Sequence, residues 1–357
     1  MANYSLFKTC KDKNILLEVL KQKPDLNLHD DEGLTISMYA FKYCSIKEVL
    51  LEILKQKPDL NITDNINETP VSLYAFEYCT DKDVLLELLK QKPKLDLEVH
   101  NGSTVAMYAF IYIDDKEVLF ELLKQKPNLE LIDYDTGEFN ILFTEFTRCR
   151  DEELLLEMLK QKPDLNIQNT WDDTVAMIAF YNCRYKNVLL EILKQKPDLN
   201  IKNKDNNTVS LYAFEYCKDK DVLLELLKLK PDLNFQNYDM YNITLFAFKY
   251  CKHKDVLLEI LKEKPDLNLH DHRDTTITMY AFKYCTDKDV LLELLKQKPN
   301  LTLKNEFNKK ALHYAFKYYV KRPEFEFSIL EKLYNESSIE DRELFNSEYL
   351  KLKKVDY

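Results

Sequence analysis

The chain has three glycines in 357 residues, far below the usual share of about 7%. Turns that need a positive φ must therefore use other residues. Gly33, Gly102 and Gly137 lie too far apart to build one phosphate-cradling loop, so no glycine-loop nucleotide fold follows. Long hydrophobic runs are missing too: no stretch approaches the ~18 apolar residues of a membrane span. The opening MANYSLFKTCKDKN has no apolar core behind a basic start, so the expectation is a soluble, cytoplasmic chain that does not engage a membrane. Positive charge is in deficit, with 51 Lys and Arg against 61 Asp and Glu. Phosphate neutralisation needs the reverse balance, and no nucleic-acid partner is expected. No C-x-x-C pair occurs, which removes the commonest zinc spacing.

What is present is a repeat. KPxL recurs with its proline at 24, 58, 93, 127, 163, 197, 231, 265 and 299, a step of 34 to 36 residues. A fixed period of this size marks a stacked solenoid. The unit from Asp30 to Asn61 reads DDEGLTISMYAFKYCSIKEVLLEILKQKPDLN. A first short helix should start at Thr35, whose hydroxyl caps free amides, and break at Ser45. A second should follow a Ser or Asp cap (Ser45, Asp81, Asp219, Asp287), with an apolar face at Val49, Leu50, Leu51, Ile53 and Leu54 broad enough to be buried between neighbouring units. Pro58 stops it at about Lys57. Lysine before proline is unfavourable in the left-handed region, so that lysine is expected to be extended. The hairpin slot of Gly33 holds Asn67, Gly102, Asp172, Asn206 and Asp274 elsewhere, all tolerant of turn geometry.

Roughly 20 of 34 positions read helical and about a dozen form loop, too few helical positions for a tetratricopeptide unit. That layout resembles the ankyrin repeat. KALHYA at 310–315 stands for its TPLHxA, Thr69-Pro70 for its TP pair and Lys57-Pro58-Asp59-Leu60-Asn61 for its GADVN, while cysteine replaces the glycine between the helices. The resemblance covers about residues 5–320. It implies an all-α solenoid, an ankyrin-like stack of about ten helix-turn-helix units with hairpin loops in one right-handed curved array. Residues 1–30 read as an N-terminal capping repeat, 31–305 as the array and 306–357 as a C-terminal repeat and helical cap. His313 falls on the histidine of the motif, where a structural hydrogen bond is implied.

The eight cysteines recur one per unit at a fixed phase. Stacked helices ~8–10 Å apart keep such thiols out of disulfide reach, which implies reduced thiols and a reducing compartment. His270-Asp271-His272 with Asp274 is a weak metal pattern that a solvated loop matches as well. Carboxylates and lysines repeat with the unit, as solvated helix faces do. No catalytic residue, cofactor or metal is expected, and the chain reads as a non-enzyme.

Deviation from the template is the remaining signal. A tyrosine precedes the cysteine slot at Tyr43, Tyr78, Tyr112, Tyr216, Tyr250, Tyr284 and Tyr318, but Arg148 and Asn182 interrupt it. On the ankyrin pattern this slot faces the concave groove. Two explanations stand: rings sealing one unit against the next, or a recognition strip. Hairpin tips near the centre become bulky at Tyr134, Phe139, Trp171, Tyr238, Met240 and Tyr241. Trp171, the one tryptophan, is either a binding anchor or folded onto its neighbour.

The expected partner surface is therefore Tyr134, Arg148, Trp171, Tyr181, Asn182, Tyr238, Met240 and Tyr241, used by a monomer to bind a partner protein. Alternatives are an enzyme with a cryptic C-terminal site, or a structural or inhibitory spacer whose aromatics would be shielded. The Lys, Asn, Ile, Tyr and Phe richness fits an AT-rich genome, in which ankyrin-type proteins often act on host proteins. A host-delivered effector is the corresponding expectation.

Overall fold

The computed structural model describes residues 4–99, 102–133, 140–148, 151–321 and 327–355. The chain packs as two compact units, Met1–Thr170 and Trp171–Tyr357. The first unit pairs α1 (Tyr4–Thr9) with α2 (Lys13–Lys21), α3 (Ile36–Tyr43) with α4 (Lys47–Lys55), α5 (Val71–Tyr78) with α6 (Lys82–Lys90), α7 (Val105–Tyr112) with α8 (Lys116–Lys124), and α9 (Ile141–Arg148) with α10 (Glu152–Lys160). In the second unit α11 (Val175–Asn182) and α12 (Lys186–Lys194), α13 (Val209–Tyr216) and α14 (Lys220–Lys228), α15 (Ile243–Tyr250) and α16 (Lys254–Lys262), and α17 (Ile277–Tyr284) and α18 (Lys288–Lys296) repeat the pattern. The final elements are α19 (Ala311–Lys321), α20 (Phe327–Glu336) and α21 (Ile339–Val355).

Within each unit odd-numbered helices pack side by side in chain order, and so do the even-numbered ones, with α20 closing the even row. This is an all-α solenoid. Among the described residues extended pairing is limited to isolated bridges such as Thr63 with Pro70. No described helix is long and apolar enough to cross a membrane.

Helices of eight or nine residues are too short to persist alone, so packing must hold them. Phe7, Phe41, Phe76, Phe110 and Phe146 in the first unit, and Phe180, Phe214, Phe248 and Phe282 in the second, are each at most 1% exposed. Burying one such ring contributes roughly 1.5–3 kcal/mol. The preceding alanines (Ala40, Ala75, Ala109) are fully buried and let adjacent helices close. In α9 that slot is Glu145, 1% exposed, and Arg148 lies 3.8 Å from its carboxylate.

Caps follow the sequence with two corrections. Thr35 accepts the Met38 amide, and Asp81, Asp219 and Asp287 cap their second helices as expected. Ser45 does not cap α4: Ile46 takes that position without a side-chain bond. The interhelix cysteines adopt extended geometry (Cys44, φ −100°), so no glycine is required there. Gly33, Gly102, Asp172, Asn206 and Asp274 do hold positive φ, but in the longer hairpin of the third repeat Glu68 does so rather than Asn67. Gly33 is also constrained by space, since a Cβ would lie 2.8 Å from Asn65 Cβ of the next hairpin.

The larger correction concerns the lysine before each proline. Lys23, Lys57, Lys92, Lys126, Lys162, Lys196, Lys230, Lys264 and Lys298 all sit at φ +51° to +55°, left-handed rather than extended. The Lys57 amide donates to Leu54 O at 2.9 Å, half of a glycine-type helix end. The reversal turns Pro58 and Leu60 back under the helix, where both are buried. Burying Leu60 is worth roughly 1.5–3 kcal/mol, against about 1–2 kcal/mol for a left-handed side chain, so burial wins.

Side-chain bonds register successive repeats. Gln56 donates to Leu20 O at 3.0 Å and Gln91 to Leu54 O at 2.7 Å. The Asp59 amide donates to Asn27 Oδ1 at 2.9 Å. Exposed ion pairs such as Lys13–Glu48 and Lys220–Asp255 link the second-helix starts one repeat apart.

Candidate functional site

Most odd-numbered helices keep an alanine–phenylalanine pair inward, and residues three and four apart share the opposite face. Two aromatic rings on that face therefore meet within one helix. Tyr39 and Tyr43 lie 6.2 Å apart, Tyr74 and Tyr78 6.2 Å, and Tyr108 and Tyr112 6.1 Å. The second unit repeats this with Tyr212–Tyr216 at 6.0 Å, Phe246–Tyr250 at 5.7 Å and Tyr280–Tyr284 at 5.8 Å. Stacking within a helix is the commoner ring contact; between neighbouring repeats Tyr4 meets Tyr39 at 6.3 Å, and Tyr181 meets Tyr212 and Tyr216 edge-on at 5.8 and 4.6 Å.

Lysines fill the spaces between helices. Lys42 Nζ is 5.6 Å from the rings of both Tyr43 and Tyr74 and 5.9 Å from Tyr78. In the second unit Lys249 Nζ lies 4.8 Å from both Tyr241 and Tyr250. Lys218 is 5.1 Å from Tyr250, and Lys283 is 4.9 Å from Tyr284 and 5.9 Å from Tyr314. The negative ring faces attract these ammonium groups and hold them at the surface.

In several repeats the inner tyrosine anchors the hairpin beside it. Tyr74 donates to Asp64 Oδ2 at 2.9 Å and Tyr280 to Asp271 Oδ2 at 2.8 Å, while Asn203 and Asn305 donate to the hydroxyls of Tyr212 and Tyr314. Burial would raise the Asp64 carboxyl, but amides of Asn67 and Ile66 and the Tyr74 hydroxyl outweigh it and hold it below the ordinary range. Burial and Glu77 push Tyr78 up to about 12, and burial and Glu215 do the same to Tyr216. These phenols stay neutral at physiological pH. The face offers apolar rings, hydroxyls and ammonium groups.

The anticipated site residues divide between the units. Tyr134 lies outside the described residues, as do Phe139 and Cys149. In the first unit Arg148 donates to Phe110 O at 3.2 Å and faces Glu145, so its guanidinium is engaged within its own unit. In the second unit Asn182 bonds back to Ile178 O of its own helix at 3.2 Å. Trp171 is 64% exposed, Tyr238 75% and Tyr181 46%. Trp171 is thus not folded into its repeat, although Lys204 Nζ stands 5.7 Å from its ring. Met240 takes the left-handed slot at φ +60°, and Tyr241 stacks on Phe246 at 4.9 Å beneath Lys249.

The tips are joined edge to edge. The Lys204 amide donates to Trp171 O at 3.0 Å, and Asn237 Nδ2 donates to Asn207 Oδ1 at 2.7 Å. Asp173 beside them is half-buried, and burial raises its carboxyl despite bonds from Asn203 and Tyr212.

Sequence reasoning missed the lysines. Their signal is a lysine directly before the outer tyrosine at Lys249 and Lys283, with Lys317 one more period on. Among the described residues Cys10, Cys44, Cys79, Cys183, Cys217, Cys251 and Cys285 form no disulfide, and burial pushes Cys285 up to about 11, away from the reactive thiolate. His270 and His272 do not converge: His270 Nδ1 is 3.4 Å from Asp274, while His272 stands edge-on to Tyr241.

No family model matches the chain, and no curated protein does. Among solved structures it is similar to a chain in that of a predatory endopeptidase from Bdellovibrio bacteriovorus in complex with an immunity protein. The identity is 22%, the TM-score 0.41, and the match covers 54% of this chain and 96% of that one.

Proposed function

We propose that this chain is an ankyrin-type repeat protein without catalytic activity. As a monomer, it binds a partner protein through the odd-numbered-helix face and hairpin tips of its second unit. The observation that carries this is the exposure of Trp171 and Tyr238 on joined tips, together with that of Tyr181 on α11, the helix that follows the Trp171 tip. Large aromatics in solvent cost burial that a neighbouring side chain would otherwise give, and they are the favoured anchors of interfaces. A spacer would have shielded them. The left-handed residue closing each second helix, in the slot where the ankyrin pattern has glycine, supports the family assignment. Because Arg148 is occupied inside the first unit, the proposal centres on Trp171, Tyr181, Tyr238, Met240 and Tyr241. A cytoplasmic or host-delivered setting is part of the same proposal, given the thiol-rich composition.

Affinity capture with the full chain compares wild type with a Trp171→Ala/Tyr238→Ala variant and with Tyr43→Ala from the first unit. Loss of two anchors should weaken retention of a specific protein at least about tenfold, with melting temperature nearly unchanged because both rings are exposed. Unchanged retention, or greater damage from Tyr43→Ala, would refute the site.

A further inference from the structure

The hairpin aromatics do not define what runs along the helices beside them. On α15, α17 and α19 the position before the outer aromatic slot is Lys249, Lys283 and Lys317, spaced by one repeat each. Lys249 is half-buried between the rings of Tyr241 and Tyr250. It has no carboxylate within ion-pair distance among the described residues, and Glu215 nearby is itself half-buried. Lys283 sits against Tyr284 and Tyr314, and Lys317 is exposed. These three helices are consecutive neighbours. The corresponding residues of α11 and α13 are Tyr181 and Glu215, so the cationic row begins at α15 and runs over α15, α17 and α19. In a chain of net charge −10 it is a local reversal of sign.

The spacing of the row specifies its ligand. Neighbouring helices lie ~8–10 Å apart, and an extended chain in the polyproline-II conformation advances about 9 Å per three-residue turn, which returns every third side chain to the same face. We infer that the α15–α17–α19 face binds an extended acidic segment of a partner protein. Carboxylates at every third residue meet Lys249, Lys283 and Lys317, and the intervening residues lie on Tyr250 and Tyr284. Charge complementarity selects a carboxylate-bearing extended segment, and the ring faces supply apolar contact beneath it. This rests on the proposed scaffold role and names the chemistry of its partner.

The test is fluorescence anisotropy with the full chain and labelled peptides. One carries glutamate at every third position between serines, a second has the same composition with its glutamates contiguous, and a third has lysine for glutamate. A single-stranded thymidine oligonucleotide represents the other class of anion. The spaced peptide should bind in a salt-sensitive way, and a Lys249→Gln/Lys283→Gln variant should weaken it about tenfold. Lys249→Arg/Lys283→Arg should keep most of the affinity, and Lys57→Gln, on another face, all of it. Circular dichroism melts establish that the variants fold. Equal binding of the contiguous peptide, indifference to the glutamine pair, or preferential binding of the oligonucleotide would overturn the inference. If no peptide binds while Trp171→Ala/Tyr238→Ala still loses its captured protein, the acidic segment is wrong and the scaffold reading survives.

Discussion

Lys57 holds φ at +55° with its ammonium in solvent and its amide on Leu54 O, and eight other lysines repeat the arrangement. Proline follows each of them, so the second bond of a glycine-type helix end has no donor. The conformation persists because it returns the apolar Pro58 and Leu60 to the core. Glycine at such a site removes about 1–2 kcal/mol of strain and costs about 0.5–1 kcal/mol in unfolded-chain entropy. Lys57→Gly should therefore raise the unfolding free energy by roughly 0.5–1 kcal/mol in urea melts. A loss of stability would mean that the lysine side chain contributes contacts of its own. Local rules put this residue in the extended region, since the penalty before proline is a property of two residues. The compensation comes from a leucine three positions on, and that was not legible locally. Arg148 behaves similarly: its interruption of the tyrosine series was visible, but its bond to Phe110 O crosses 38 residues.

At the scale of elements, first-helix starts at threonine and second-helix starts at aspartate were readable because a cap lies beside the amides it satisfies. The lysine–tyrosine contacts that bridge neighbouring helices, such as Lys42 with Tyr74 and Lys283 with Tyr314, were not, since each joins residues nearly a full repeat apart. The C-terminal cap shows the same limit. Lys310 takes the capping slot before α19 and donates to both carboxylate oxygens of Asp341 in α21 at 2.7 and 2.8 Å, with both side chains at most 7% exposed. His313 Nδ1 accepts the Lys310 amide at 3.2 Å, the structural bond expected of that histidine, and its ring stands edge-on to Phe345. Burial alone would raise the Asp341 carboxyl, but Lys310 and Ser338 outweigh it and hold it below the ordinary range. A depressed carboxylate contributes stability above its unfolded pKa and loses it as pH falls through the folded value. Asp341→Ala should cost about 3–5 kcal/mol near neutral pH by leaving Lys310 buried and unpaired. The wild-type advantage should shrink below about pH 4. Thermal melts of both proteins across that range measure it, and a constant difference would contradict the buried pair.

For the molecule as a whole, a period repeated from Pro24 to Pro299 made the solenoid legible, because one unit's pattern fixes every other. The candidate site was legible only where units depart from that pattern, and the departures mix structural with exposed residues. Arg148 and Asn182 bond within their own units, whereas Trp171 and Tyr238 are exposed. The central claim, that the second unit carries the partner-binding face, is tested most directly by site-specific photo-crosslinking in the full chain. A benzophenone amino acid is placed singly at Trp171, Tyr238, Tyr284, Tyr43 and Lys57. Trp171, Tyr238 and Tyr284 should yield one discrete adduct with the same protein, and Tyr43 and Lys57 should not. An adduct of that protein formed at Tyr43 or Lys57 but absent from the three second-unit positions would contradict the account.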